Sequence, residues 1–195
     1  MSTLEQTPQA QTQRTRPMRA DARRNYEKVI AAARDAFAAG GSATSLEEIA
    51  RRAGVGIGTL YRHFPNRQAL LEAVYAEEVE SLCRSAADVA DLEPWDALVA
   101  WLRGFVGYMA TKQALAAELL DYMDRDSPLF STCRSAMYTA GEPLLTRAQE
   151  AGVARADVNL PDVIQMVAGI SKIQTGDPDQ VGRILEIALA GLRAK

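Results

Sequence analysis

Apolar positions recur along this chain at spacings of three, four and seven residues, and no convincing run alternates. That period marks amphipathic helices, not strands. The first stripe, Tyr26, Val29, Ile30, Ala33 and Phe37, predicts a helix over residues 20–39 that ends at Gly40 and Gly41. Arg23, Arg24 and Lys28 lie off the stripe.

A short stripe of Leu46, Ile49, Ala50 and Ala53 follows. Ser45 and Glu48 have the spacing of a capping box, in which hydroxyl and carboxylate serve the N–H groups of the first turn. Gly54 supplies a left-handed turn, and a second short helix spans residues 57–63 with Leu60 and Phe64 pointing inward. Two short helices joined by a glycine-containing turn predict a helix-turn-helix. Pro65 stops the second helix, and Asn66 can cap a long one whose stripe is Leu70, Leu71, Val74, Tyr75, Val79 and Leu82.

Beyond a linker at residues 91–94, the pattern predicts helices over 95–111, 115–124, from 128 to about 151, 161–174 and 179–192. Pro143 predicts a kink near residues 140–142, and Gly152 an end. Gly104 and Gly107 fall inside a predicted helix, where each costs about 1 kcal/mol against Ala. Their retention suggests that a neighbour or ligand needs the space.

Composition agrees with an all-α chain. Of 195 residues, 34 are Ala and only 6% are aromatic. Charge separates the two ends. Residues 1–67 hold 11 basic and 6 acidic side chains, residues 68–195 hold 11 and 19. A basic front suits a polyanion, and 18 of the 22 basic residues are Arg, which suits phosphates and base edges. Residues 1–18 are Gln-, Thr- and Pro-rich and are expected to be a disordered tail. Arg14, Arg16 and Arg19 at its end form either a solvated cluster or an arm that touches DNA.

Several classes are disfavoured. One His and two Cys separated by 50 positions give no zinc spacing, so no metal and no cofactor is expected. No phosphate loop and no Gly-x-Ser-x-Gly occurs, so an enzyme is not expected. Cys83 and Cys133 are read as small apolar helix residues, with a redox-switch pair as the weaker alternative. With no apolar leader and no spanning segment, a cytoplasmic protein without membrane contact is expected.

The stretch Thr44-Ser45, Glu48-Ile49-Ala50, Ala53-Gly54-Val55, Gly58-Thr59-Leu60-Tyr61, His63-Phe64 and Asn66-Arg67 resembles the tetracycline-repressor (TetR) family of bacterial regulators. The resemblance implies a helix-turn-helix reader over residues 19–66 and a helical ligand-binding and dimerisation domain over 67–195. It implies a homodimer on a pseudo-palindromic double-stranded DNA operator, most often a repressor released by a small-molecule inducer. An activator of the same family, or a helical ligand-binding protein that does not read DNA, are the alternatives.

Carried onto this chain, the resemblance puts Ser45 at a phosphate, Thr59, Tyr61 and His63 at phosphate or base contacts, and Arg67 at a phosphate clamp. Ile57 and Arg62 fall at specificity positions, Arg62 suited to guanine and Ile57 to a thymine methyl. Gly56 and Ile57 depart from the usual polar residues there.

The candidate ligand lining comes from two runs. Trp101, Phe105, Tyr108 and Met109, with Arg103 beside them, form the first; Tyr122, Met123, Met137 and Tyr138 form the second. The candidate dimer surface is Ile164, Val167 and Ile170 with Ile184, Ala188 and Leu189, because one helix pair cannot cover so much apolar area; packing within one chain is the alternative.

Overall fold

A computed structural model of the chain describes residues 15–40, 44–124, 126–177 and 179–194. The described residues form eight helices. They are α1 (Thr15–Gly40), α2 (Leu46–Ala53), α3 (Ile57–His63), α4 (Arg67–Asp88), α5 (Pro94–Leu119), α6 (Pro128–Glu150), α7 (Leu160–Ile170) and α8 (Gln180–Leu192). Extended pairing among the described residues is limited to one bridge, Ala154 with Arg193.

The first helix starts at Thr15, five residues before the expected point. Residues 1–14 of the expected tail, Arg14 among them, lie outside the described residues. The two helices expected over 95–111 and 115–124 are one 26-residue helix, α5, with Pro94 inside its first turn. Leu115 and Leu119 are fully buried, so packing carries the helix through a stretch whose sequence pattern shifts face. α6 likewise runs through Pro143, and α7 ends at Ile170, short of the expected 174.

α1, α2 and α3 pack on one another around Ile49, Leu60 and Phe64. Gly54 has φ 65° and closes the turn between α2 and α3 as expected. α4 and α5 form the centre of the molecule; α4 packs against α1, α5 and α6, and α7 leans on α5 and α6. The Asn66 side chain caps α4 by accepting from the Ala69 N–H at 2.8 Å.

The glycine that space requires is not the one the pattern suggests. A Cβ at Gly104 would meet only Leu82 Cδ1, at 4.0 Å, and at Gly107 nothing within 4 Å. A Cβ at Gly141 would overlap the edge of the Trp101 ring and lie 3.1 Å from Leu160 Cδ2. Trp101 is 1% exposed, and its Nε1 donates to the Leu82 carbonyl at 3.1 Å. α5 and α6 therefore meet with a Trp set against a Gly.

Candidate nucleic-acid interface and ligand cavity

The helix-turn-helix is built from short-range chemistry. Ser45 Oγ accepts from the Glu48 N–H at 3.2 Å and starts α2. Only half of the expected capping box forms. The Glu48 carboxylate turns instead to Arg51, at 2.7 and 2.8 Å, and to Arg52, at 2.7 Å. Those hydrogen bonds hold the Glu48 carboxyl down at about 2. Two arginine side chains of α2 are thus already paired.

α3 buries Leu60 and turns its other faces outward. Ile57 is 38% and Tyr61 44% exposed, Arg62 is exposed, and Thr59 and His63 are half-buried. The His63 ring stands edge-on to Tyr26 of α1, with centroids 6.0 Å apart. Gly56 at the α3 N-cap offers no side chain to cap the first turn, and its carbonyl accepts from the Thr59 N–H at 2.8 Å.

Arg67 does not sit as the resemblance suggested. Its Nε donates to Glu118 at the end of α5, and its Nη1 donates to the Thr44 carbonyl just before α2. Its guanidinium also lies 4.9 Å from the Phe37 ring centroid. In this arrangement Arg67 ties three segments together from inside. A phosphate clamp needs an outward guanidinium, and spacing within one motif could not reveal a partner 51 residues away.

A cavity of about 560 Å³ opens among α4, α5, α6 and α7. Of the residues expected at a ligand, Phe105, Met109, Met137 and Tyr138 line it. Trp101, Tyr108, Tyr122 and Met123 do not. Trp101 is locked in the core, and Tyr108 is buried against Phe105, with ring centroids 5.7 Å apart. Tyr122 is 45% exposed past the end of α5, and the Met123 sulfur accepts from the Ser127 hydroxyl at 3.3 Å. Arg103 faces α8, where Glu186 pairs with it at 2.7 Å.

The sequence pattern passed over Tyr75, Lys112, Phe130, Arg134 and Lys172, which also line the cavity. A signal for the three cations exists. Lys112 is in phase with Phe105 and Met109, Arg134 with Met137 and Tyr138, and Lys172 with Gln165 and Ala168.

At the C-terminal helices, Ile164, Val167, Ile170 and Leu189 are buried within the single chain. They pack inward, and Ile164 lines the cavity. The outer face of α8 is different: Ile187 is 74% exposed, and Ile184 and Ala188 are half-buried. Cys83 and Cys133 are free thiols, and burial pushes the pKa of each up. Among the described residues no helix is long and apolar enough to cross a membrane.

Residues 29–74 match the family model for bacterial regulatory proteins of the tetR family, and residues 93–194 match that for the SbtR-like transcriptional regulator C-terminal domain. The chain belongs to the TetR family. A TetR transcription regulatory protein from Mycobacterium vanbaalenii, known from its crystal structure, is 35% identical with a TM-score of 0.78, covering 91% of this chain and all of that one. The HTH-type transcriptional regulator SAR0097 of Staphylococcus aureus is 32% identical over 76 residues, 38% of this chain and 40% of that protein. The HTH-type transcriptional regulator SrpR of Pseudomonas putida is 33% identical over 109 residues, 55% of this chain and 50% of that protein. The chain thus spans about half or less of the length of these two curated relatives.

Proposed function

We propose that this TetR-family protein is a ligand-responsive repressor, a binding protein rather than an enzyme, acting in the cytoplasm. As a homodimer it binds a pseudo-palindromic operator and releases it when a small molecule fills the cavity. The division of labour follows the split into residues 19–66 and 67–195.

The observation that carries this reading is the path from cavity to reader. α5 walls the cavity with Phe105, Met109 and Lys112. Six residues after Lys112, or about 9 Å along the helix, it presents Glu118 to Arg67. Arg67 in turn holds the carbonyl just before α2. A ligand that prefers a shifted α5 therefore biases the placement of the helix-turn-helix, by no more than its differential affinity for the two placements.

In the bound state Ile57, Tyr61 and Arg62 face the major groove. Thr59, His63 and Ser45 reach base edges or phosphates from its rim. Arg67 positions the reader from behind. The outward face of α8, with Ile184, Ile187 and Ala188, meets its twin in a second copy, and α7 completes the bundle.

Selection of bound duplexes from a random library, at near-physiological salt, tests the reading. An enriched palindrome supports a dimeric reader; absence of any enrichment overturns it. Against the selected site, Arg62→Ala is expected to lose about 1–3 kcal/mol of discrimination at one base pair per half-site. If full preference survives in that variant, Arg62 does not read a base.

A further inference from the structure

The lining of the cavity has a charge imbalance that its function as a generic apolar pocket does not need. Lys112, Arg134 and Lys172 all line it, and among the described residues no carboxylate does. This occurs in a chain whose net charge is −3. Among the described residues none of the three makes an ion pair. Several other arginines of the same half hold a carboxylate, Arg103 with Glu186, Arg155 with Asp157 and Arg183 with Asp177, and Arg147 holds the Ala90 and Leu92 carbonyls.

Lys112 is half-buried, and its ammonium lies 5.7 Å from the Tyr108 ring centroid. Burial, then the nearby Arg134 and Lys172, push its pKa down. Arg134 and Lys172 are exposed, so the strain falls on Lys112, which is partly desolvated beside two further cations, and an anion entering the recess relieves it. The remaining wall is apolar and aromatic. Phe105, Met109, Met137 and Phe130 line it, with the Phe130 ring edge-on to Tyr75 at 5.3 Å. A bare inorganic ion would satisfy the cations and leave that wall wet. A neutral hydrocarbon would do the reverse. The volume of about 560 Å³ suits a drug-sized molecule.

We infer that the cavity takes an amphipathic organic anion, its apolar body against Phe105, Met109 and Phe130 and its acidic group among Lys112, Arg134 and Lys172. This inference rests on the reading of the cavity as the effector site. A carboxylate or sulfonate there accepts charge-assisted hydrogen bonds from the ammonium groups and the Arg134 guanidinium.

A matched pair of fluorophores tests it on the full chain. 8-Anilinonaphthalene-1-sulfonate and N-phenyl-1-naphthylamine share one ring system and differ by the sulfonate. The sulfonate is expected to bind at least about tenfold more tightly, with an advantage that shrinks as salt rises. Lys112→Met is expected to weaken the sulfonate about tenfold and leave the neutral amine within about twofold. Arg134→Gln, at an exposed position, repeats the test where the first variant fails to fold. Decanoate is expected to displace the bound sulfonate at lower concentration than decanol.

Equal or tighter binding of the neutral amine overturns the assignment. So does undiminished sulfonate affinity in the folded variants, or failure of both fluorophores to bind. Release of operator DNA by decanoate is measured separately. Anion binding at the three cations without DNA release overturns the effector reading and leaves the anion assignment standing.

Discussion

Gly141→Ala is expected to unfold about 2–12 °C below the parent protein in a thermal melt. The added methyl would overlap the Trp101 ring and crowd Leu160. Overpacking of this kind costs about 1–3 kcal/mol, and each kcal/mol moves the midpoint of a domain this size by about 2–4 °C. Trp101 has little freedom to retreat. It is 1% exposed, its Nε1 is tied to the Leu82 carbonyl, and Phe105 stands beside it with ring centroids 6.4 Å apart. Trp101→Phe shortens the ring that meets the methyl. The cost of Gly141→Ala in that background is therefore expected to fall, giving a coupling of about 1 kcal/mol in a double-mutant cycle. Gly104→Ala is the control. Its Cβ meets only Leu82 Cδ1 at 4.0 Å, so the change is expected to be neutral or to stabilise by up to about 1 kcal/mol. A Gly141→Ala melt indistinguishable from the parent would mean that α5 and α6 separate readily along this seam.

Glu118→Ala is expected to lower stability by about 2–4 kcal/mol and to weaken operator binding evenly across sequences. Glu118 is 6% exposed and pairs with Arg67, so its loss takes the carboxylate away from a largely buried guanidinium. The reader then loses the tie between Thr44 and the end of α5. Arg67→Ala is expected to act in the same way, because both variants cut one link. The salt dependence of DNA binding separates this from direct contact. A phosphate contact contributes about 0.9 to the slope of log K against log salt. Both variants are expected to keep the parent slope. A slope that flattens by about one in Arg67→Ala alone would return Arg67 to a phosphate.

Residues close in sequence carried most of what could be read in advance. Ser45 and Asn66 as caps, Gly54 in the left-handed turn, and Leu60 with Phe64 on the inner face of α3 all depend on neighbours within about four positions. The cavity was half legible. Phe105, Met109, Met137 and Tyr138 announce themselves as large apolar groups, whereas Lys112, Arg134 and Lys172 look like ordinary surface charge until their helices are placed together. The glycines show the same limit. Gly104 and Gly107 draw attention by lying between large apolar residues, but the close approach happens at Gly141.

The sequence by itself determined the helical class, the helix-turn-helix and its outward residues, because helix period, caps and turn glycines are local free-energy terms. Tertiary structure alone decided three things. It set which stripe of α7 and α8 faces inward, leaving Ile187 outside while Val167 and Leu189 are buried. It gave Arg67 a partner 51 residues away. It gathered three cations from α5, α6 and the turn after α7 around one cavity. Each depends on the relative placement of rigid helices. A helix fixes which residues share its own face, but only packing fixes what that face meets.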